Sequence, residues 1–409
     1  MSAMTKHAMT AGFMPLTDSA LLVAAKVKGF AEAEDLDLTL VRETSWANIR
    51  DRMAVGHFEA AHMLAPMPIA SNLGLTPLPL PLIAPMALGL GGNAVTVSDR
   101  LWKAMANEGA QPNLDPALNG AALKRVVARR GHAEKLQFAV VHPFSGHGYE
   151  LRYWLAACEI DPASLIDIVV VPPSMMADAM KTGRIDGYCA GEPWNSFGVE
   201  NASGHLATVK AAIWKSSPEK VIGVQAGWAQ KNPSTLDALL RALHRASSWC
   251  ADKRNHGEMA SILSRPEWIN VAPELILRGI TGQLETGSGV VDTPDFFVTH
   301  DRAATFPWQS HALWFYSQMV RWNHVSASPE HADIAAKSYR PDIYRRALKA
   351  TGAPLPAANA KVEGALKAAT GVGSVQGKLV LGPDGFFDGQ VFDPDELDAY
   401  IAAQAGNPA

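Results

Sequence analysis

The run IDIVVVPPSMMADAMKTGRIDGYCAGEPW, residues 166–194, decides the fold class. "IDIVVVPP" reads as a strand ending at two prolines. "SMMADAMKTG" reads as a helix stopped by a glycine, and "RIDGYCAGEPW" as a second strand entering a loop. Strand and helix in alternation imply a mostly parallel sheet covered by helices. The closing Gly191-Glu192-Pro193-Trp194 falls beyond a strand's carboxyl end, where open α/β sheets bind their ligands.

The same pattern recurs on both sides. Upstream, LQFAVVHP (136–143) is a strand and GYELRYWLAACEI (148–160) a helix. In the first hundred residues MTAGFMP is a strand, and LTDSALLVAAKVKGFAEAE a helix with Asp18 or Ser19 at its N-cap. LDLTLVRE follows as a strand, SWANIRDRMAVG as a helix capped by Ser45, and AAHMLAPMPIASNLG as a short strand leading to a helix. LPLPLIAPMAL and NAVTVS are strands. Downstream, VIGVQAGWAQ is a strand and PSTLDALLRALHRASSWCADK a long amphipathic helix. Two α/β segments therefore stand in series, and their ligand ends imply two lobes facing across a cleft. After about Gly279 helical stretches alternate with irregular ones. Asp393-Pro394-Asp395-Glu396 opens a last helix, its acids near the positive dipole end.

The 409 residues are 48% hydrophobic and 19% charged, enough for two or three domains with real cores. Lys+Arg 36 against Asp+Glu 40 gives a net charge of -4, which excludes the basic excess of a nucleic-acid binder. No uninterrupted apolar run of about twenty residues occurs, so no transmembrane helix is expected. Thr5, Lys6, His7 and Thr10 break up the N-terminal region, which lacks a signal-peptide pattern, so a cytoplasmic chain is expected. Cys158, Cys189 and Cys250 form neither a CxxC nor a disulfide framework and read as buried free thiols.

There is no GxSxG, HExxH or P-loop. The glycine-rich LGLGGNAV precedes a strand, whereas a phosphate loop follows one. What remains are polar residues at strand-to-helix junctions: Thr17-Asp18-Ser19, Ser45-Trp46, Ser145-Gly146-His147 and the Gly191–Trp194 loop. The free N–H groups of a helix start hold small anions. A Ser or Asp there is most often only a cap, and a lone Trp46 or His62 most often core. His147 is flanked by glycines, which leave the backbone open to a ligand. His142, His147, Glu150 and Glu192 are too loosely spaced for a metal, so no metal and no cofactor is expected. Lys215, just before a strand, offers the anion a cation.

Taken together, TSWANIRDRM, AAHMLAPMPIA, HGYELRYWLAACEIDP, VVVPPSMMADAMKTGRIDGYCAGEPWN and IWKSSPEKVIGV resemble the NrtA/CmpA family of nitrate- and bicarbonate-binding proteins of ABC transporters, over roughly residues 10–287. The resemblance implies an α/β, periplasmic-binding-protein-like (type II) fold, with two α/β lobes around a ligand cleft. The expected lobes are residues 1–98 with 216–409, and residues 99–215. Trp46, Gly191, Pro193 and Lys215 match the family's motifs, and Phe144 and His147 fall near a histidine and a glutamine of the transporters. Ser145 and Glu192 complete the expected ligand set.

The transport members are exported. Without such a leader, the chain resembles the cytoplasmic nitrate/nitrite sensors of the NasS type. Those hold a NasT-like, ANTAR-type RNA-binding antiterminator until nitrate or nitrite releases it. A sensor of that kind, not an enzyme, touching neither membrane nor nucleic acid directly, is the expected function. One alternative is a solute-binding protein serving an ABC transporter for nitrate, nitrite or bicarbonate. Another is an enzyme like the pyrimidine synthases of thiamine biosynthesis, although their cysteine-rich iron motif is missing. Nitrate, planar and singly charged, suits backbone N–H groups, a lysine, a histidine and an aromatic face. Bicarbonate adds a donor hydroxyl, for which Glu192 is the nearest acceptor.

Overall fold

The computed structural model describes residues 7–131 and 134–405. Two five-stranded sheets carry the fold. Their strands are β1 (His7–Phe13), β2 (Leu36–Arg42), β3 (Ala60–Leu64), β4 (Leu82–Ala87), β5 (Asn93–Val97), β6 (Leu136–Val140), β7 (Ile166–Val170), β8 (Gly187–Gly191), β9 (His205–Val209) and β10 (Lys220–Gln225). The first sheet runs β2-β1-β3-β10-β4 and the second β9-β5-β8-β6-β7. Strands β1 to β3 pair in parallel, as do β6 to β8. Strands β5 and β10 each run antiparallel to both neighbours. β3, β4 and β8 are buried throughout, as strands covered on both faces must be.

The chain crosses from the first sheet to the second between β4 and β5, and returns between β9 and β10. The crossovers lie side by side: Gly91 N–H donates to Ser217 O at 2.9 Å and Leu88 N–H to Lys220 O at 2.8 Å. This explains the glycine run. Gly91 has φ +75, and a Cβ there would strike the Phe296 carbonyl. The boundary expected at residue 98 falls one strand late. The turn is made by Gly89, Gly91 and Gly92, all at positive φ, and β5 pairs with β8 and β9 in the second sheet.

The tail wraps the first lobe. Tyr339 Oη donates to Ala65 O at 3.1 Å and Arg340 N–H to Ala84 O at 3.0 Å. Residues 383–388 then lie on the return crossover. Phe387 N–H donates to Ile213 O at 2.9 Å, and the Phe386 and Trp214 rings stack with centroids 4.6 Å apart. No helix among the described residues is long and apolar enough to cross a membrane.

Candidate functional site

The carboxyl ends of both sheets' parallel strands meet at the crossovers, and polar side chains converge there. From the first lobe come Asp18, in the turn after β1; Trp46, opening the helix after β2; and His62, in the middle of β3. From the second come His147 and Glu150, on helix Gly146–Ala157 after β6, and Asn93 at the start of β5. The return crossover supplies Lys210 and Glu219, and β10 supplies Lys220. All of these are buried, at most 5% exposed. The lobes are joined here: Thr17 N–H donates to Glu192 O at 2.8 Å, and Trp194 Nε1 to Pro15 O at 3.0 Å.

The charged groups form one alternating chain. Glu150 Oε1 lies 3.0 Å from Lys210 Nζ, which also contacts Glu219 Oε2. Glu219 Oε1 is 2.7 Å from Lys220 Nζ, which is 2.8 Å from Asp18 Oδ2. Asp18 Oδ1 is 3.1 Å from His62 Nε2. Because His62 Nδ1 accepts from Met14 N–H at 3.4 Å, the proton of the neutral ring sits on Nε2, facing Asp18. His147 Nδ1 lies 3.1 Å from Glu219 Oε1 without a hydrogen bond's alignment. Trp46 stands edge-on to His62, centroids 5.3 Å apart, with Lys220 Nζ 5.5 Å from its ring centre.

Burial and pairing set the charges. Burial pushes Asp18 up, but Lys220 and His62 outweigh it and hold the carboxyl down at about 2. Burial likewise raises Glu219, and His147, Lys210 and Lys220 around it drive it well below the carboxylate range. Burial lowers Lys220, and its two carboxylates more than restore it. Burial holds His147 down at about 3 against the pull of Glu219, so its ring is neutral. For Glu150 burial wins over Lys210 and raises the carboxyl to about 8. At neutral pH the chain therefore carries two negative and two positive charges. Around it, Thr17 Oγ1, Trp46 Nε1, both atoms of the Asn93 amide and His147 Nε2 are buried without a protein partner. Buried polar groups are normally satisfied, so such a cluster is a candidate place for ordered water or a polar ligand.

The expected site residues separate into three groups. Trp46 and His147 are at this cluster. Ser145 is the cap of the His147 helix: its Oγ accepts from Gly148 N–H at 3.0 Å and donates to His142 O at 2.7 Å. Gly146 has no Cβ because one would strike Glu219. Gly191 also belongs, since a Cβ on it would come 3.3 Å from Asn93 Oδ1 and 3.6 Å from Asp18 Oδ2. Glu192 contributes its carbonyl, which accepts from Thr17 N–H, whereas the Pro193 carbonyl accepts from Phe197 N–H at 2.8 Å in the following helix. The Glu192 carboxyl turns away, accepting from Ser196 N–H at 3.2 Å, and burial lifts it to about 7. Lys215 does not belong. It is exposed, and its N–H donates to Gly385 O at 3.1 Å. Ser216, at φ 59, bends the chain after it, and the cations reaching the cleft are Lys210 and Lys220.

The sequence reading missed Asn93, Lys210, Glu219 and Lys220, and it weighed Asp18 and His62 but took them as a cap and as core. Asp18 was expected as a cap, yet the helix Ala20–Val27 has no side-chain cap. The usable signal was a lysine opening a strand that must be interior, since an interior ammonium needs carboxylate partners.

A two-lobed α/β binding protein with its polar site at the crossovers is the class that this geometry defines. The chain belongs to the NMT1-like family, whose pattern matches residues 2–264. It is 33% identical over 405 residues to the nitrate/nitrite binding protein NrtA of Synechococcus elongatus, covering 96% of this chain and 85% of that protein. It is 28% identical to the bicarbonate-binding protein CmpA of the same species, covering 95% and 85%. The crystal structure of the periplasmic nitrate-binding protein NrtA from Synechocystis PCC 6803 superposes with a TM-score of 0.85 at 28% identity, covering 97% of this chain and 98% of that one. The nitrate/bicarbonate-binding family resemblance and the periplasmic-binding-protein-like fold therefore hold.

Two expectations change. The cytoplasmic location is overturned: the NrtA of the solved structure, matched over 97% of this chain, is periplasmic. Residues 1–6 of the N-terminal region behind that expectation lie outside the described residues. The relatives carry the names of binding and transport proteins and lend no support to a NasS-type sensor or an antiterminator partner.

Proposed function

We propose that the chain is the solute-binding protein of an ABC importer and clamps nitrate or nitrite between its lobes. The observation that carries this reading is the convergence of His147 from the second lobe and Lys220 from the first on Glu219, ringed by buried polar groups without partners. The anion would take its charge-assisted hydrogen bond from Lys220, neutral ones from the Asn93 amide and a histidine N–H, and the Trp46 ring as a wall. A neutral cluster accepts one added negative charge at a cost that good pairing offsets, whereas a dianion such as sulfate meets a far larger desolvation penalty. The names of the NrtA relatives supply nitrate and nitrite, and that of CmpA keeps bicarbonate as the competitor to test.

Calorimetric titration with nitrate, nitrite, bicarbonate and sulfate tests the reading. One site per chain for nitrate or nitrite is expected, with micromolar affinity, about −8 kcal/mol, and no heat from sulfate. Silence with nitrate and nitrite refutes it.

A further inference from the structure

The alternating chain holds more acid than base. Three carboxyls, Asp18, Glu150 and Glu219, share two ammoniums, Lys210 and Lys220. Removing an uncompensated charge from water costs several kcal/mol, so one carboxyl must carry a proton. The contacts identify it. Asp18 touches Lys220 and His62, and Glu219 touches both lysines and His147. Glu150 stands at the end of the chain with Lys210 alone, its Oε1 3.0 Å from that ammonium. Even that lysine is committed elsewhere, to Glu219 and to Pro218 O at 2.6 Å.

We propose that Glu150 sets the charge of the anion site: it carries a proton while an anion is bound, and releasing that proton to solvent weakens the anion's hold. Glu150 is thus a positioning residue, acting through Lys210 and Glu219 on Lys220 and His147. The inference rests on the anion-binding reading above. The groups facing Glu150 are Lys210 and Glu219 of the return crossover, Lys220 of β10 and Cys189 of β8. Burial keeps the Cys189 thiol far up, Lys220 is raised and Glu219 is driven well down, so none of these three changes its charge in the range where Glu150 does. Burial holds Glu150 protonated up to about pH 8.

Nitrate is the right probe, because its own charge does not change over this range. Its affinity is measured from below neutrality to well above pH 8 for the wild type, Glu150→Gln and Glu192→Gln. The wild type should weaken above about pH 8, approaching tenfold per pH unit for one linked proton. Glu150→Gln should lose this fall, its nitrate affinity staying level from below neutrality to well above pH 8. Glu192→Gln should keep the fall, separating it from the carboxyl near 7. Should Glu150→Gln fail to fold, wild-type titrations in buffers of different ionisation enthalpy decide. Nitrate should draw in nearly one proton above the transition and almost none below it. An unchanged fall in Glu150→Gln, or nitrate binding that is flat with pH, overturns the role of Glu150 alone. Absence of nitrate binding at every pH overturns the anion reading with it.

Discussion

The molecule buries two charged clusters that differ in how their carboxyls are satisfied. In the tail, Lys361 pairs with Glu363 and, at 2.8 Å, with Asp384. This cluster too holds more acid than base. Yet Glu363 also accepts from Ser310 Oγ at 2.7 Å, and Asp384 from Leu366 N–H at 2.8 Å. Neutral donors stand in for the missing cation, and a carboxylate so bonded stays ionised. Burial raises Glu363, but Lys361 and His311 hold it at about 2. In the cleft, Glu150 has no such donor, and the polar atoms around it lack partners. The tail cluster is complete and serves the fold. The cleft cluster is incomplete in a way that a small anion would complete.

The largest expected effect lies in the tail. Lys361→Ala strands two buried acids and should cost about 3–5 kcal/mol, read from the denaturant midpoint. The folded protein should still bind nitrate normally. Loss of binding at unchanged stability would erase the distinction between the clusters.

In the cleft, Gly146→Ala pushes a methyl against Glu219. Overpacking of this kind costs about 1–3 kcal/mol, and here it should appear as weaker nitrate binding, tenfold or more, in calorimetry. Acid should attack both clusters alike. Asp18 and Glu363 have depressed folded-state values, so the stability they supply is present above their ordinary values of 3.8 and 4.5 and is lost as pH falls toward about 2. Asp18 contributes about 2 kcal/mol and Glu363 about 3 kcal/mol, and Asp18→Asn or Glu363→Gln should flatten the acid limb of a stability–pH curve by those amounts. The smallest effect is expected at Lys215→Ala, within about 0.5 kcal/mol in stability and without change in nitrate affinity, since the side chain is exposed.

Much of the fold was legible because strands, helices and glycine stops follow local rules. Periodicity located all ten strands of the two sheets except β9, His205–Val209. It could not show that β5 pairs in the second sheet, because pairing is long-range and only the glycine turn at 89–92 marks the crossover. The site was legible where a motif sat at a helix start, as for Trp46 and His147. It was not legible where function depends on pairing between distant strands. His62 lies opposite Ile222 on β10, and Lys220 opposite Leu64, which brings both to Asp18 across three strands. In VKAAIWKSSPEKVIGV three lysines fall close together, and only the bend at Ser216 and the burial of β10 decide which of them face the cleft.

The central claim is that the cleft cation is Lys220, held by Asp18 and Glu219 for an anion shared with His147. Nitrate titration of Lys220→Ala beside the wild type at neutral pH tests it most directly. The account predicts at least a tenfold loss of affinity, about 1.4 kcal/mol or more, in a variant shown to be folded. Wild-type affinity in that variant would contradict it.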